Sequence, residues 1–591
     1  MRRIVAIIVA LFLLLILFDR FVLVELLVRR IGISLLFAIA AALACIGTGF
    51  LVRHPLPQAG EEPRDPSPRE RGEGAAKRRM RGSDVALNLL LGLPFFGTLC
   101  FLVGLINISK WTMVPLVGVL GGIGLASLWP VTAGRDAGTT RPFPIIAIAA
   151  VGVSAFLAAQ APPSSLDELA YHLTVPWTWV KEGRAIELPL NSHSYFPLGV
   201  ESADLPFLTI LGTGGGVASH FLHLFAAAAT TMLLFRSARR DLLIVAAIVA
   251  TPALALTAGW SLVDWILLGE AIALVSALEA DDAPTVAAAL AAGLLTKYTF
   301  IPLAIVTLLV TRKHRGVVLG LVLGSVFFIR NLILTGNPVA PFLTSLAPHV
   351  AHYRLGAFLS DYVFDGRFVD ESLGVSMLMT CVLTAGLLSW ILIAAGVALF
   401  LLAPSARLLV PFFAIPATRA LPPGRTMRVL IAIAIAGQLF LIAFFVDRTE
   451  TFALLAGRLS DQQYLARARP STMTIASLDA ALPDASRTLV VGLTETFWFQ
   501  HRVRGGGNFD GPRLSKYLET PTPEALYARL KGDGITHVAV VSLPPASRVA
   551  KKIEERETDL SPAAQRTLAQ TLDRYASAVV SRADATLFTL R

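Results

Sequence analysis

Runs of about twenty apolar residues follow one another along most of the chain, and a run of that length is what an α-helix needs to cross the hydrocarbon core of a bilayer. Such segments occur near 4–27, 31–52, 85–107, 112–131 and 143–161, and again near 205–235, 242–258, 261–279, 285–297, 298–311, 316–334, 375–403 and 427–446. With 55% hydrophobic and only 16% charged residues over 591 positions, the chain carries too much apolar surface for a soluble globular protein. The expected class is a polytopic α-helical membrane protein with about 13 spans.

The net charge of +10 raises the question of nucleic acid, but the basic residues gather in short loops between apolar segments. Arg64, Arg69, Arg71, Lys77, Arg78, Arg79 and Arg81 crowd one loop, while Arg236, Arg239 and Arg240, and then Arg312, Lys313 and Arg315, mark two others. Topology accounts for them, and no nucleic-acid partner is expected. Placing these loops in the cytoplasm puts the N-terminus on that side and 167–201, 336–371 and the C-terminus outside, with Asp264 close to the outer face. A multi-pass cytoplasmic (inner) membrane protein follows. Its apolar start lacks a small-residue cleavage site and reads as a retained anchor.

The expected organisation is N-terminal spans over 1–53, a basic cytoplasmic linker over 54–84, additional spans over 85–142, a membrane core over 143–446 with external loops 162–204 and 336–374, and an extracytoplasmic α/β domain over 447–591. In that last part, 488–493 and 536–542 are β-rich, 523–531 reads as a helix, and Gly532-Asp533-Gly534 stops it. The Gly-rich stretch 502–507 follows no clear strand and lacks a phosphate-loop Lys-Ser/Thr ending, so it reads as a surface loop. Cys45, Cys100 and Cys381 lie in apolar stretches without metal-ligand spacing and read as packing residues.

Chemistry is expected where a span meets acidic side chains. The apolar segment before Pro162 and Pro163 runs into Asp167, Glu168, Tyr171 and His172, and a carboxylate costs roughly 2.5–3.5 kcal/mol at mid-bilayer. If 166–181 forms one surface helix, Asp167, Tyr171 and His172 share a face, although either acid can equally serve as a helix cap beside Ser164 and Ser165. The same external loop holds Asn191, His193, Tyr195, Phe196, Pro197 and Glu201, a polar and aromatic run suited to ligand contact or to interfacial anchoring. Asp264 lies between Trp260 and Trp265 and is either a functional acid or the partner of a cation such as Lys297 or Arg330. Those two cations, beside Tyr298 and Asn331, can hold a phosphate or snorkel to headgroups, and Asn337 belongs to a Gly336-Asn337-Pro338 turn.

Taken in order, Asp167-Glu168-Leu169-Ala170-Tyr171-His172, Phe196-Pro197-Leu198-Gly199-Val200-Glu201, Val263-Asp264, Leu295-Thr296-Lys297-Tyr298 and the stretch from Arg330-Asn331 through Gly336-Asn337-Pro338 resemble the GT-C superfamily. These are membrane glycosyltransferases that take sugar from a polyprenyl-phosphate carrier, among them protein mannosyltransferase and aminoarabinose transferase relatives. The resemblance spans about 143–345. It implies Asp167 as the catalytic carboxylate, with Glu168 as a substitute and Asp264 as the second acid. The residues expected to bind substrate are Tyr171, His172, His193, Tyr195, Glu201, Lys297, Tyr298, Arg330, Asn331 and Asn337. Partners would be a polyprenyl-phosphate-linked sugar, membrane lipid and an extracytoplasmic glycan, lipid or protein acceptor. About four extra spans precede the matching core, and without a dense external carboxylate cluster a divalent metal requirement stays open. A lipid-linked sugar flippase or transporter, and a non-catalytic envelope scaffold, are the competing functions.

Overall fold

The computed structural model describes residues 32–53, 82–128, 142–239, 241–311, 314–342, 373–384, 386–402, 406–505, 510–542 and 560–591. The first expected span near 4–27, the basic linker up to residue 81 and most of the external loop 336–374 lie outside them, and residues 82–84, expected to close the linker, begin a helix instead.

Five described helical stretches are long and apolar enough to cross a membrane: Ile33–Arg53, Asp84–Gly104, Lys110–Leu128, Glu201–Ser237 and Arg425–Asp447. A sixth arises if Arg315–Leu323 and Val326–Thr335, bent by 51° at their junction, are one broken span. Other expected spans are shorter apolar helices, including Pro142–Ala158, Ala283–Thr296 and Tyr298–Val310. The break between the last two falls at Lys297, whose extended backbone ends one helix before Pro302 helps begin the next. Their length and composition mark a multi-pass membrane protein.

The N-terminal helices α1 (Ile33–Arg53), α2 (Gly82–Gly104) and α3 (Lys110–Leu128) pack backbone to backbone. A Cβ added to Gly92 would lie 1.8 Å from the Cys45 carbonyl oxygen, and one on Gly124 would lie 1.9 Å from that of Leu43. Small residues at such crossings let helices approach until dispersion contacts replace the hydrophobic drive that lipid cannot supply. The same device joins α2 to the external segment, because a Cβ on Gly97 would lie 1.7 Å from the Gly199 carbonyl oxygen. Gly199 N–H in turn donates to the Leu295 carbonyl at 2.9 Å. Residues 196–201 are therefore wedged between helices, and α1 to α3, which precede the expected core, pack as part of it.

Four further helices frame the candidate site: α4 (Pro142–Ala158), α5 (Thr174–Glu182), α6 (Asp264–Glu279) and α7 (Ala283–Thr296). Their surroundings form one large apolar core with the N-terminal helices.

Beyond the helix ending at Arg448, the chain builds a five-stranded sheet in the order β2-β1-β3-β5-β4. The strands are β1 (Arg487–Val491), β2 (Arg502–Gly505), β3 (His537–Val541), β4 (Ala576–Ser581) and β5 (Ala585–Leu590). Strand β1 is parallel to β2 and β3, with Leu489 opposite Val538, and β5 runs antiparallel to β3 and β4. Alternate β1 residues serve two layers. Leu489 and Val491 meet Leu514, Leu526 and Leu568, whereas Val490 meets Ile475, Leu478 and Phe499. The stretch expected as a surface loop at 502–507 begins instead with edge strand β2. Arg502, Val503 and Arg504 alternate across it, and Gly505 sits close over Val490, so the glycine serves close approach rather than freedom.

Candidate active site

After α4 the chain passes Pro162 and Pro163, which cannot donate to a helical ladder, and enters a π-helical turn, Glu168–His172. Leu173 N–H closes it on the Glu168 carbonyl at 3.0 Å, and α5 follows. The single helix expected over 166–181 is thus two pieces, and the wide turn rotates the first away from the register of the second. Tyr171 stacks on His193 with centroids 4.4 Å apart, and lies against His172 at 3.9 Å.

The two neighbouring acids have different surroundings. Glu168 is fully buried and receives His220 Nε2 at 2.7 Å and Ser261 N–H at 2.6 Å on one oxygen, and Ser165 N–H at 3.1 Å on the other. Burial pushes its carboxyl up, but His220 and the two amides outweigh that and hold it below its ordinary value. Both its oxygens are thus engaged by the fold, and the cap-type bond to Ser165 N–H is made by Glu168, whereas Asp167 makes no cap bond.

Asp167 is 24% exposed at its side chain and opens on the site. Arg407 Nη2 donates to its Oδ2 at 2.6 Å, and Nη1 of the same guanidinium lies 3.9 Å from Asp264 Oδ2. Lys297 Nζ stands 3.7 Å from Asp264 Oδ1. Burial raises the Asp167 carboxyl, yet the Arg407 guanidinium more than reverses this and keeps it well below the usual carboxylate range. Asp264 is the first residue of α6 and Lys297 terminates α7, so each charge faces the helix end whose dipole favours it.

Behind this quartet, His172 Nδ1 meets Glu201 Oε1 at 2.8 Å, with both side chains buried. Burial pulls the His193 imidazole down to about 4, so it stacks on Tyr171 as a neutral ring at neutral pH.

The other residues expected to bind substrate form a brace. Arg330 Nη1 donates to the Ser194 carbonyl at 2.7 Å, with its guanidinium 5.6 Å from the Phe101 ring centroid and 5.9 Å from that of Tyr195. Asn331 donates to the Tyr195 carbonyl and to the Tyr298 hydroxyl, and Tyr298 donates to the Tyr195 carbonyl at 2.9 Å. Tyr195 is buried and gives its own hydroxyl to Glu187, while the Asn191 side chain accepts from His193 N–H at 3.1 Å. Asn337 ties its own turn by donating to the Phe342 carbonyl at 2.6 Å. These side chains hold the 191–196 turn in place beside Tyr171.

Arg407 was not expected. It sits in a short 3₁₀ turn, Ala406–Leu409, between apolar helices, and the reasoning that singled out Asp264 as an intramembrane charge applies equally to it. Among the described residues no three His, Cys, Asp or Glu side chains are grouped to hold a metal ion.

The sheet-bearing unit grips the segment that carries Asp167. Arg469 Nε donates to the Ser164 carbonyl at 2.6 Å, and Thr496 N–H to that of Leu169 at 3.2 Å. Trp177 Nε1 and Lys181 Nζ both reach the Phe499 carbonyl at 3.0 Å, Lys181 also holds that of His501 at 2.9 Å, and Arg487 pairs with Glu182 at 3.0 Å. The unit and the quartet thus share one end of the helical core.

No family model and no curated protein matches the chain. Two crystal structures of ArnT from Cupriavidus metallidurans are similar to it in fold. The one bound to undecaprenyl phosphate has a TM-score of 0.45, 14% identity, and covers 76% of this chain and 97% of that chain. The apo form has a TM-score of 0.46, also at 14% identity, with the same coverage.

Proposed function

We propose that this chain is a membrane-embedded inverting glycosyltransferase that moves a sugar from a polyprenyl-phosphate carrier to an extracytoplasmic acceptor. The observation that carries this reading is the convergence of Asp167, Arg407, Asp264 and Lys297 at the ends of apolar helices. A partly open acid beside two cations at a membrane rim suits a reaction whose donor tail stays in lipid while its head reacts at the surface.

In the proposed reaction the acceptor oxygen attacks the anomeric carbon as the bond from that carbon to the phosphate oxygen breaks, and the electron pair leaves with the phosphate. Asp167 accepts the acceptor's proton, a contribution of about 10² to 10⁴ in rate. Lys297 and Arg407 meet the charge that grows on the lipid phosphate, where a low-dielectric site makes them most effective. Asp264 orients both cations, and the Arg330, Asn331 and Tyr298 brace keeps the 191–196 turn against the donor. The sheet-bearing unit and the acceptor are assigned to the outer face, as the basic loops imply.

The test is Asp167→Asn in the full chain, reconstituted in vesicles with polyprenyl-phosphate sugars. Transfer should fall by at least about 10²-fold with expression and insertion retained; undiminished transfer removes Asp167 as base. The bent pair ending at Thr335 favours a second reading, flipping of the lipid-linked sugar, since broken helices line transport paths. Sugar-lipid translocation without transfer would select it.

A further inference from the structure

Within the quartet formed by the described residues the charges balance: Asp167 and Asp264 supply two negative charges, Arg407 and Lys297 two positive ones. Charges removed from water are tolerated when paired, and a cation whose own carboxylate neutralises it has no surplus to offer a phosphate. A phosphate gains a full partner from this quartet by displacing one of its acids. Asp264 and Lys297 sit at helix ends that favour their charges, so that pair has a second source of stabilisation. The short, hydrogen-bonded contact is instead the 2.6 Å bond between Arg407 and Asp167, made from a turn rather than a helix interior. Arg407 also spans toward Asp264 at 3.9 Å, so it can leave Asp167 while remaining opposite a carboxylate.

Resting on the glycosyl-transfer reading, we propose that Arg407 exchanges Asp167 for the donor's phosphate, so that the base is masked until the carrier lipid is in place. The donor phosphodiester carries one negative charge, and the departing phosphate gains a second as the carbon–oxygen bond breaks. The pull on Arg407 therefore rises along the reaction. Asp167 loses its counter-ion at that moment and becomes a stronger base as the acceptor oxygen bonds to the anomeric carbon and releases its proton. Proton acceptance and leaving-group stabilisation are coupled through one guanidinium, and an acceptor arriving before the donor meets an occupied carboxylate.

Exchange makes Asp167 a competitor of the phosphate, which gives a readout that transfer activity does not. With the full chain in nanodiscs and decaprenyl phosphate as probe, Asp167→Asn should tighten binding roughly tenfold, because it removes the rival charge at nearly constant shape. Arg407→Gln should weaken binding, and Asp167→Asn added to it should give no tightening. Equal or weaker binding by Asp167→Asn overturns the exchange while leaving the transfer reading intact. Failure of decaprenyl phosphate to bind either wild type or Asp167→Asn overturns both. Should Arg407→Gln not fold, Arg407→Lys replaces it in the cycle. The tightening should then shrink, because an ammonium lacks the bidentate hold on phosphate, and an undiminished tightening also overturns the proposal.

Discussion

Two adjacent carboxylates, Asp167 and Glu168, differ in what surrounds them, and their substitutions should separate accordingly. Glu168 anchors His220 and the Ser261 amide in a fully buried site. Glu168→Ala leaves those groups unpaired and should cost about 3–5 kcal/mol, read as a fall in unfolding midpoint in detergent, whereas Asp167→Asn loses the charge but keeps an amide oxygen to accept from Arg407 and should cost less. A stability loss for Asp167→Asn equal to that for Glu168→Ala would merge their roles. Both carboxyls lie below their ordinary values in the fold, so their contribution is complete above the unfolded carboxylate range near pH 4. It is lost as acid carries the pH down through the folded values. Sequence made both acids and Asp264 visible, because charges bordering apolar runs are costly enough to stand out. It could not tell which acid is solvated, since that depends on His220 and Ser261, far away along the chain. Arg407 is hidden for a related reason: in sequence it is one cation among many at span ends, and only the fold sets it between two acids.

At the level of helices and strands, close backbone contact decides more than propensity. Gly97→Ala would force a methyl group against the Gly199 carbonyl, and overpacking of this kind costs typically about 1–3 kcal/mol. The displaced segment carries Glu201, the partner of His172, so both melting temperature and transfer rate should drop; an unchanged rate would disconnect the glycine contact from the site. Such contacts leave no trace in hydropathy, which registered α1 to α3 as spans but not their place in the core. The β-rich runs at 488–493 and 536–542 are strands β1 and β3, and both are apolar enough to stand out. Strand β2, with two arginines in four residues, has the composition of a loop and is a strand because β1 supplies its hydrogen bonds.

For the molecule as a whole, the docking of the sheet-bearing unit on α5 sets how the site is held. Burial pulls the Lys181 ammonium down to about 7, against the opposing pull of Asp479 and Glu182. A lysine whose folded value lies below its unfolded one binds fewer protons when folded, so stability rises with pH between about 7 and 10.4. Wild type should gain melting temperature from pH 7 to pH 9 more steeply than Lys181→Met, and identical slopes would remove Lys181 from the account. The N-terminal helices bear on the same centre through the segment that carries Glu201. Because Gly97 meets Gly199 with no side chain between them, a chain severed between 128 and 142 would yield two fragments that are each missing half of a backbone seam. Neither could catalyse alone, and co-expression of the halves should restore turnover only through their reassociation within the bilayer.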